Sequence, residues 1–270
     1  MKFQLGAMTV GDILDRGLKV LLARLPAFYA INVLVLLPLI VIELLMPALI
    51  YGGGPAEGGS AVVLIGLGLF VLGVILQPLG TAAILHLISK EFVDERASIS
   101  EAFQFAFRRF GPLLLTSMIA GIAIFFGMLL LVIPGIILAI WYTFVAQVVV
   151  VESLKGGAAL SRSKELTEGY RGRVFGMFVL FLVAGMVLGY AVGFLDRVFP
   201  SAEQVRTDEG VKVVYHFGRA ALKTGVTRLV GILVQTYSAV CFTLMYFDLR
   251  IRKEGFDLEM AAKQQSIEIS

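Results

Sequence analysis

From Phe110 to Val151 the chain runs for 42 residues without an Asp, Glu, Lys or Arg. As one straight helix this block would reach about 63 Å, roughly twice the hydrocarbon thickness of a bilayer. It therefore predicts two membrane-crossing helices folded back on each other. The turn is expected at Ile133, Pro134 and Gly135, where Pro removes a backbone donor and Gly relaxes the backbone. A second charge-free stretch runs from Gly58 to Ser89. Read along the whole chain, the same pattern predicts six spans, near residues 27–50, 61–86, 111–132, 135–152, 174–195 and 227–247.

Composition agrees with this reading. Hydrophobic residues make up 58% of the chain and charged residues 16%, against about 25% charged in an average soluble protein. That excludes a disordered or low-complexity chain and a disulfide scaffold. The formal charge of +3 does not point to nucleic acid, because the basic residues are spread among the segments flanking the apolar blocks. The single cysteine, Cys241, allows no internal disulfide and no multi-cysteine metal site. The first apolar block begins near Ala27 and lacks a small-x-small cleavage site, so it is expected to remain as a helix.

Orientation follows from the Lys and Arg residues between spans. Placing both termini in the cytoplasm puts 17 of the 23 on the inner side. The remainder lie in or beside one long fifth loop, which also carries Asp196, Glu203, Asp208 and Glu209. Three amphipathic segments, near residues 10, 99 and 156, precede the three hairpins. In the first, Val10, Ile13, Leu14, Leu18, Leu21 and Leu22 form a stripe opposed by Asp12, Asp15, Arg16 and Lys19; in the second, Ile99, Phe103, Phe107 and Phe110 align. The expected fold is an all-α integral membrane domain over residues 1–259. Six transmembrane helices form three hairpins, each preceded by an amphipathic helix on the cytoplasmic surface, and residues 260–270 form a cytoplasmic tail.

Several stretches resemble a known family: Pro134 to Leu138, Val148 to Glu152, Ala159 to Gly169, Tyr246 to Glu259, and the opening Val10 to Arg16. Together they are similar to the prokaryotic multi-pass family often labelled the glycerophosphoryl diester phosphodiesterase membrane domain. The resemblance implies a membrane domain standing without the catalytic domain to which some members are fused. It carries over no activity.

Chemistry argues in the same direction. Phosphodiester hydrolysis of that type needs histidines and a carboxylate cluster for a divalent ion, and the chain has only His86 and His216, which the topology separates. No nucleophile elbow, zincin motif or phosphate loop is present. No catalytic residue, metal ligand or cofactor is expected.

The candidate intramembrane polar residues are Glu43, Gln77, Gln147, Arg228 and Gln235, groups that a bilayer makes costly unless they are paired. Glu43 and Arg228 fall on the same outer half, which predicts a pair. Phe103, Phe107, Asp248, Arg250 and Arg252 are the candidate inner-surface residues. Gly185, Gly189 and Gly193 form overlapping Gly-x-x-x-Gly motifs, expected to pack against a neighbouring helix. The expected role is a non-enzymatic membrane module that binds lipids or another membrane protein at the cytoplasmic leaflet of the cell membrane. The alternative is a small transporter or channel built on the intramembrane polar residues.

Overall fold

The computed structural model describes residues 8–51, 59–92, 97–200, 202–207 and 210–255. The proposed tail over 260–270 and the first outer turn lie outside these residues. Among the described residues, nine α-helices, a π-helical turn (Val148–Glu152) and one strand pair make up the chain: α1 (Val10–Ala23), α2 (Leu25–Tyr51), α3 (Gly59–Phe92), α4 (Ile99–Leu130), α5 (Val132–Trp141), α6 (Val145–Gln147), α7 (Gly157–Thr167), α8 (Arg171–Val198), β1 (Ala202–Thr207), β2 (Gly210–Tyr215) and α9 (Phe217–Glu254). Among the described residues six segments are long and apolar enough to cross a membrane: Leu25–Glu43, Val63–Glu91, Ile99–Leu130, Val132–Glu152, Arg171–Phe194 and Phe217–Glu254. The protein is a multi-pass, overwhelmingly helical membrane protein.

The fold is all-helical as expected, and two finer expectations need correction. Within the fifth loop β1 and β2 form a short antiparallel pair, with Ala202 opposite Tyr215 and Thr207 opposite Gly210. Alternating Val205, Val211 and Val213 with Arg206 and Lys212 gives that segment the period of a strand. The second amphipathic segment is not a separate helix, because α4 runs unbroken from Ile99 to Leu130 through Pro112. The turn between α4 and α5 falls at Leu131, in extended conformation, rather than at Ile133, Pro134 and Gly135. Pro134 sits in the first turn of α5, where a missing backbone donor costs nothing. Gly135 is buried there, and a β-carbon on it would lie 2.7 Å from the backbone nitrogen of Met128.

The described residues divide into two compact units. The first comprises 8–31, 78–179 and 236–255 within its bounds. α1 packs along the final part of α9: a β-carbon on Gly17 would lie 2.7 Å from Cys241 Sγ, and Tyr237 donates its hydroxyl to the Leu14 carbonyl at 2.9 Å. Ile13, Val20 and Leu21 are buried on the same face. Ala102, Ala106 and Leu113 are the buried face of α4. The fourth span is broken after Trp141 by the turn Tyr142–Phe144 and continues through α6 into a π-helical turn, Val148–Glu152. Ser163 holds this break, donating to the Trp141 carbonyl at 2.7 Å and accepting from the Phe144 amide at 3.1 Å.

The second unit comprises parts of four helices, residues 32–77 and 180–235, with the β pair among them. Its helices pack more loosely. A β-carbon placed on Gly185, Gly189 or Gly193 would meet nothing within 4 Å. The expected packing through that glycine stripe is not formed, because α8 turns it outward with Met186, Val187 and Tyr190.

Candidate functional site

Polar groups gather in both units, among the described residues. In the first unit Asp248, fully buried on α9, is a shared acceptor. The Met8 amide donates to its Oδ1 at 2.6 Å, Arg173 Nη1 to its Oδ2 at 2.6 Å, and Arg252 Nε to its Oδ2 at 3.0 Å. The same two arginines reach the Met8 carbonyl, Arg252 at 2.8 Å. A buried carboxylate is tolerable only when its charge and lone pairs are met, and here two guanidiniums and an amide meet them. The result is a clamp that fastens the start of α1 to α8 and α9.

A second network adjoins it in the chain. Glu152, at the end of the π-helical turn, accepts from Arg162 Nε at 2.8 Å and from the buried Tyr246 hydroxyl at 2.7 Å. Arg162 also pairs with Glu254, which Arg250 holds at 3.0 Å. Burial pulls the Arg162 pKa down, but hydrogen bonds to Glu152 and Glu254 outweigh that and leave it raised. Glu152, Arg162 and the Tyr246–Glu254 end of α9 come from three of the segments behind the family resemblance, and they meet in one charge network.

In the second unit a cleft of about 530 Å³ is lined by the apolar Leu36, Val192 and Ile232 and by the polar Glu43, Arg228 and Gln235 together with Lys223, Thr224 and Thr227. Arg228 Nε donates to Glu43 Oε2 at 2.8 Å. Both side chains keep part of their surface open, 36% and 29%.

The other sequence-predicted residues fall elsewhere. Gln77 is exposed on α3 and does not line the cleft. Gln147 belongs to the first unit, buried just before the π-helical turn, with its Oε1 unpartnered among the described residues. Of the four residues expected to line a path, Glu43, Gln77, Gln147 and Gln235, only Glu43 and Gln235 line the cleft, with Arg228 beside them. Phe103 is half-buried and Phe107 is 66% exposed, so the stripe is bare at Phe107 alone among its aromatic members. Asp248 pairs with Arg173 and Arg252, whereas Arg250 serves the Glu152 and Glu254 network. His86 stacks on Phe105 with ring centroids 4.3 Å apart, and His216 lies 3.6 Å from Glu203.

Sequence reasoning did not single out Arg173, Glu152, Arg162 or Trp141. An Arg at the mouth of a span reads as an orientation signal, and only the fold reveals its carboxylate. Among the described residues, no three His, Cys, Asp or Glu side chains come together to hold a metal ion.

The fold and its buried ion pairs define a polytopic helical membrane protein whose polar groups are mostly engaged with one another. The chain belongs to the family described as a domain of unknown function, DUF7847, whose profile matches residues 8–245. No curated protein and no solved structure matches it.

Proposed function

We propose that the protein is a non-enzymatic membrane module that binds and organises lipids, or a second membrane protein, at the cytoplasmic leaflet of the cell membrane. Both termini are cytoplasmic, and the six spans form three hairpins preceded by amphipathic segments. Kinship with the glycerophosphoryl diester phosphodiesterase membrane domain belongs to the same proposal, resting on the motif segments that build the charge network.

One observation carries it: the circumference of α1 divides into three faces. Ile13, Gly17, Val20 and Leu21 are buried in protein. Leu18 and Leu22 are apolar yet 46% and 62% exposed. Asp12, Asp15 and Lys19 form the remaining arc, with Lys19 and Asp15 paired at 2.6 Å. A helix with one side on protein, one bare and apolar, and one charged suits the boundary between lipid and water. The Asp248 clamp and the Gly17 contact hold it in that attitude. Exposed Phe107 on α4 adds apolar surface to the same leaflet.

Spin labels at single cysteines in a Cys241→Ser background test this in bilayers. Labels at Leu18 and Leu22 are expected to be relaxed by oxygen, and labels at Asp15 and Lys19 by a water-soluble nickel complex. Equal exposure of all four to the nickel complex would remove α1 from the boundary. Cysteines at Gly58 and Ser270 test orientation: an impermeant reagent should reach the first from outside intact cells and not the second.

The cleft favours a second reading, in which the protein takes up a small solute. A path across the membrane would need polar groups beyond Glu43, Arg228 and Gln235, and Gln77 and Gln147 do not line the cleft. Binding of a solute that E43Q and R228Q both abolish would favour this alternative.

A further inference from the structure

Trp141 carries two cations. Lys164 Nζ lies 4.3 Å from the indole centroid and Arg171 Cζ 5.3 Å from it. An aromatic face attracts a cation, but gathering two like charges over one ring is unfavourable unless an anion offsets them. Among the described residues neither Lys164 nor Arg171 forms an ion pair. Glu168 stands four residues after Lys164 and three before Arg171, and it joins neither. The contrast with Arg162 and Arg173 nearby, both engaged with carboxylates, is sharp. The indole Nε1 is itself buried without an acceptor among the described residues, so the place is rich in donors and poor in acceptors.

Below Arg171 on α8, Phe175 and Phe178 follow at the i+4 and i+7 positions of the same face. They are exposed and reach about 10 Å into the span. A cationic mouth above a bare aromatic wall has the amphipathic order of a phospholipid.

We infer that Trp141, Lys164 and Arg171 form a binding site for the phosphate of an anionic phospholipid, whose acyl chains lie along Phe175 and Phe178. The inference rests on the lipid-organising reading and gives it a site and a ligand class. Phosphate chemistry alone would also admit inorganic phosphate; the apolar wall selects the lipid. Arg171 and Lys164 supply charge, and the indole sets their separation.

Trp141 is the single tryptophan of the chain, so its fluorescence reports on this place. The full chain is placed in phosphatidylcholine nanodiscs, and brominated phosphatidylglycerol is titrated in against brominated phosphatidylcholine. Quenching should half-saturate at a markedly lower mole fraction of the anionic lipid. Each basic group near an anionic headgroup contributes about fivefold, so K164Q/R171Q should weaken the preference about thirtyfold and K164Q alone about fivefold. K164R/R171K should keep most of it, which separates loss of charge from loss of fold. Equal quenching by the two lipids, an unchanged preference in K164Q/R171Q, or displacement of the brominated lipid by millimolar inorganic phosphate would each overturn the site. If labels at Leu18 and Leu22 still report lipid while Trp141 shows no preference, this site fails and the module reading survives.

Discussion

Each unit contains an arginine paired with a carboxylate, and the two pairs sit in different surroundings. Asp248 is sealed from solvent and takes three donors from three separate stretches of chain. Glu43 is partly open, and Arg228 meets it at the wall of a cleft. The glycines under closest contact fall in the first unit, although others there, such as Gly111 and Gly172, are open. Gly17, Gly127 and Gly135 stand where a methyl group would collide with a neighbour, whereas Gly185, Gly189 and Gly193 face open space. At α1, α5 and the Asp248 clamp the first unit is built by close fit, with the charge of its buried carboxylate fully met. The second keeps room around its charges, and room is what a binding or adjustable region needs.

The largest effect that could break this contrast is at Asp248. Changing it to Asn leaves Arg173 and Arg252 without their counter-charge in a buried place, which should destabilise the protein by about 3–5 kcal/mol. Thermal unfolding in detergent measures this, and amide exchange should show α1 released from α9. A loss no larger than that of Glu43→Gln would mean that the clamp is as dispensable as the cleft pair.

Next in size are the glycines. Gly135→Ala drives a methyl group against the backbone of Met128, which cannot rotate aside, so about 1–3 kcal/mol should be lost. Gly189→Ala meets nothing and gains helix propensity, leaving stability unchanged or raised by up to about 1 kcal/mol. Equal costs at both positions would show that α8 packs through its glycine stripe after all.

A smaller coupling is expected at the cleft. A double-mutant cycle with Glu43→Gln and Arg228→Gln should give about 0.5–1 kcal/mol, in the range of partly open pairs. Strict additivity would sever the pair; a coupling near the Asp248 scale would mean that the cleft closes in the bilayer.

Much of the first unit's outline was legible because charge-free length and helical period are properties of the chain itself. The turn between α4 and α5 follows from 42 uncharged residues, and α1 from its apolar stripe. The polar partners were less legible, since they lie far apart in sequence: Met8 and Asp248 are 240 residues apart, and Arg173 is 75 from Asp248. Glu43 and Arg228 could be matched because each is an unusual charge within or beside an apolar block at a similar depth. Arg173 carries no such mark among the arginines that flank spans. The glycine stripe misled because Gly-x-x-x-Gly states that close approach is permitted and leaves open whether a partner arrives. The break at Trp141 escaped notice because Ser163, which satisfies it, belongs to another helix.

The smallest expected effect lies at the start of α1, where two adjacent amides are held by two carboxylates. The Met8 amide goes to buried, distant Asp248; the Thr9 amide goes to exposed, local Asp12 at 2.8 Å, and the Thr9 side chain accepts from the Asp12 amide at 3.2 Å in a capping box. Hydrogen bonds from the Thr9 hydroxyl and then the Thr9 amide hold the Asp12 pKa below its ordinary value. A carboxylate lowered in the folded state stabilises it above the ordinary carboxylate range, and that contribution fades as pH falls through the folded value. Acidification below about pH 4 should therefore loosen the Thr9 end of α1. Amide exchange at residues 9–12 measures the change, and Thr9→Ala should give the same loosening near neutral pH with little further response to acid. The Asp248 clamp makes the fraying local: in the native chain Leu21 should stay protected while residues 9–12 open, and in Asp248→Asn the same acid step should spread along the whole of α1. Equal spread in both chains would mean that α1 is held by its apolar face alone.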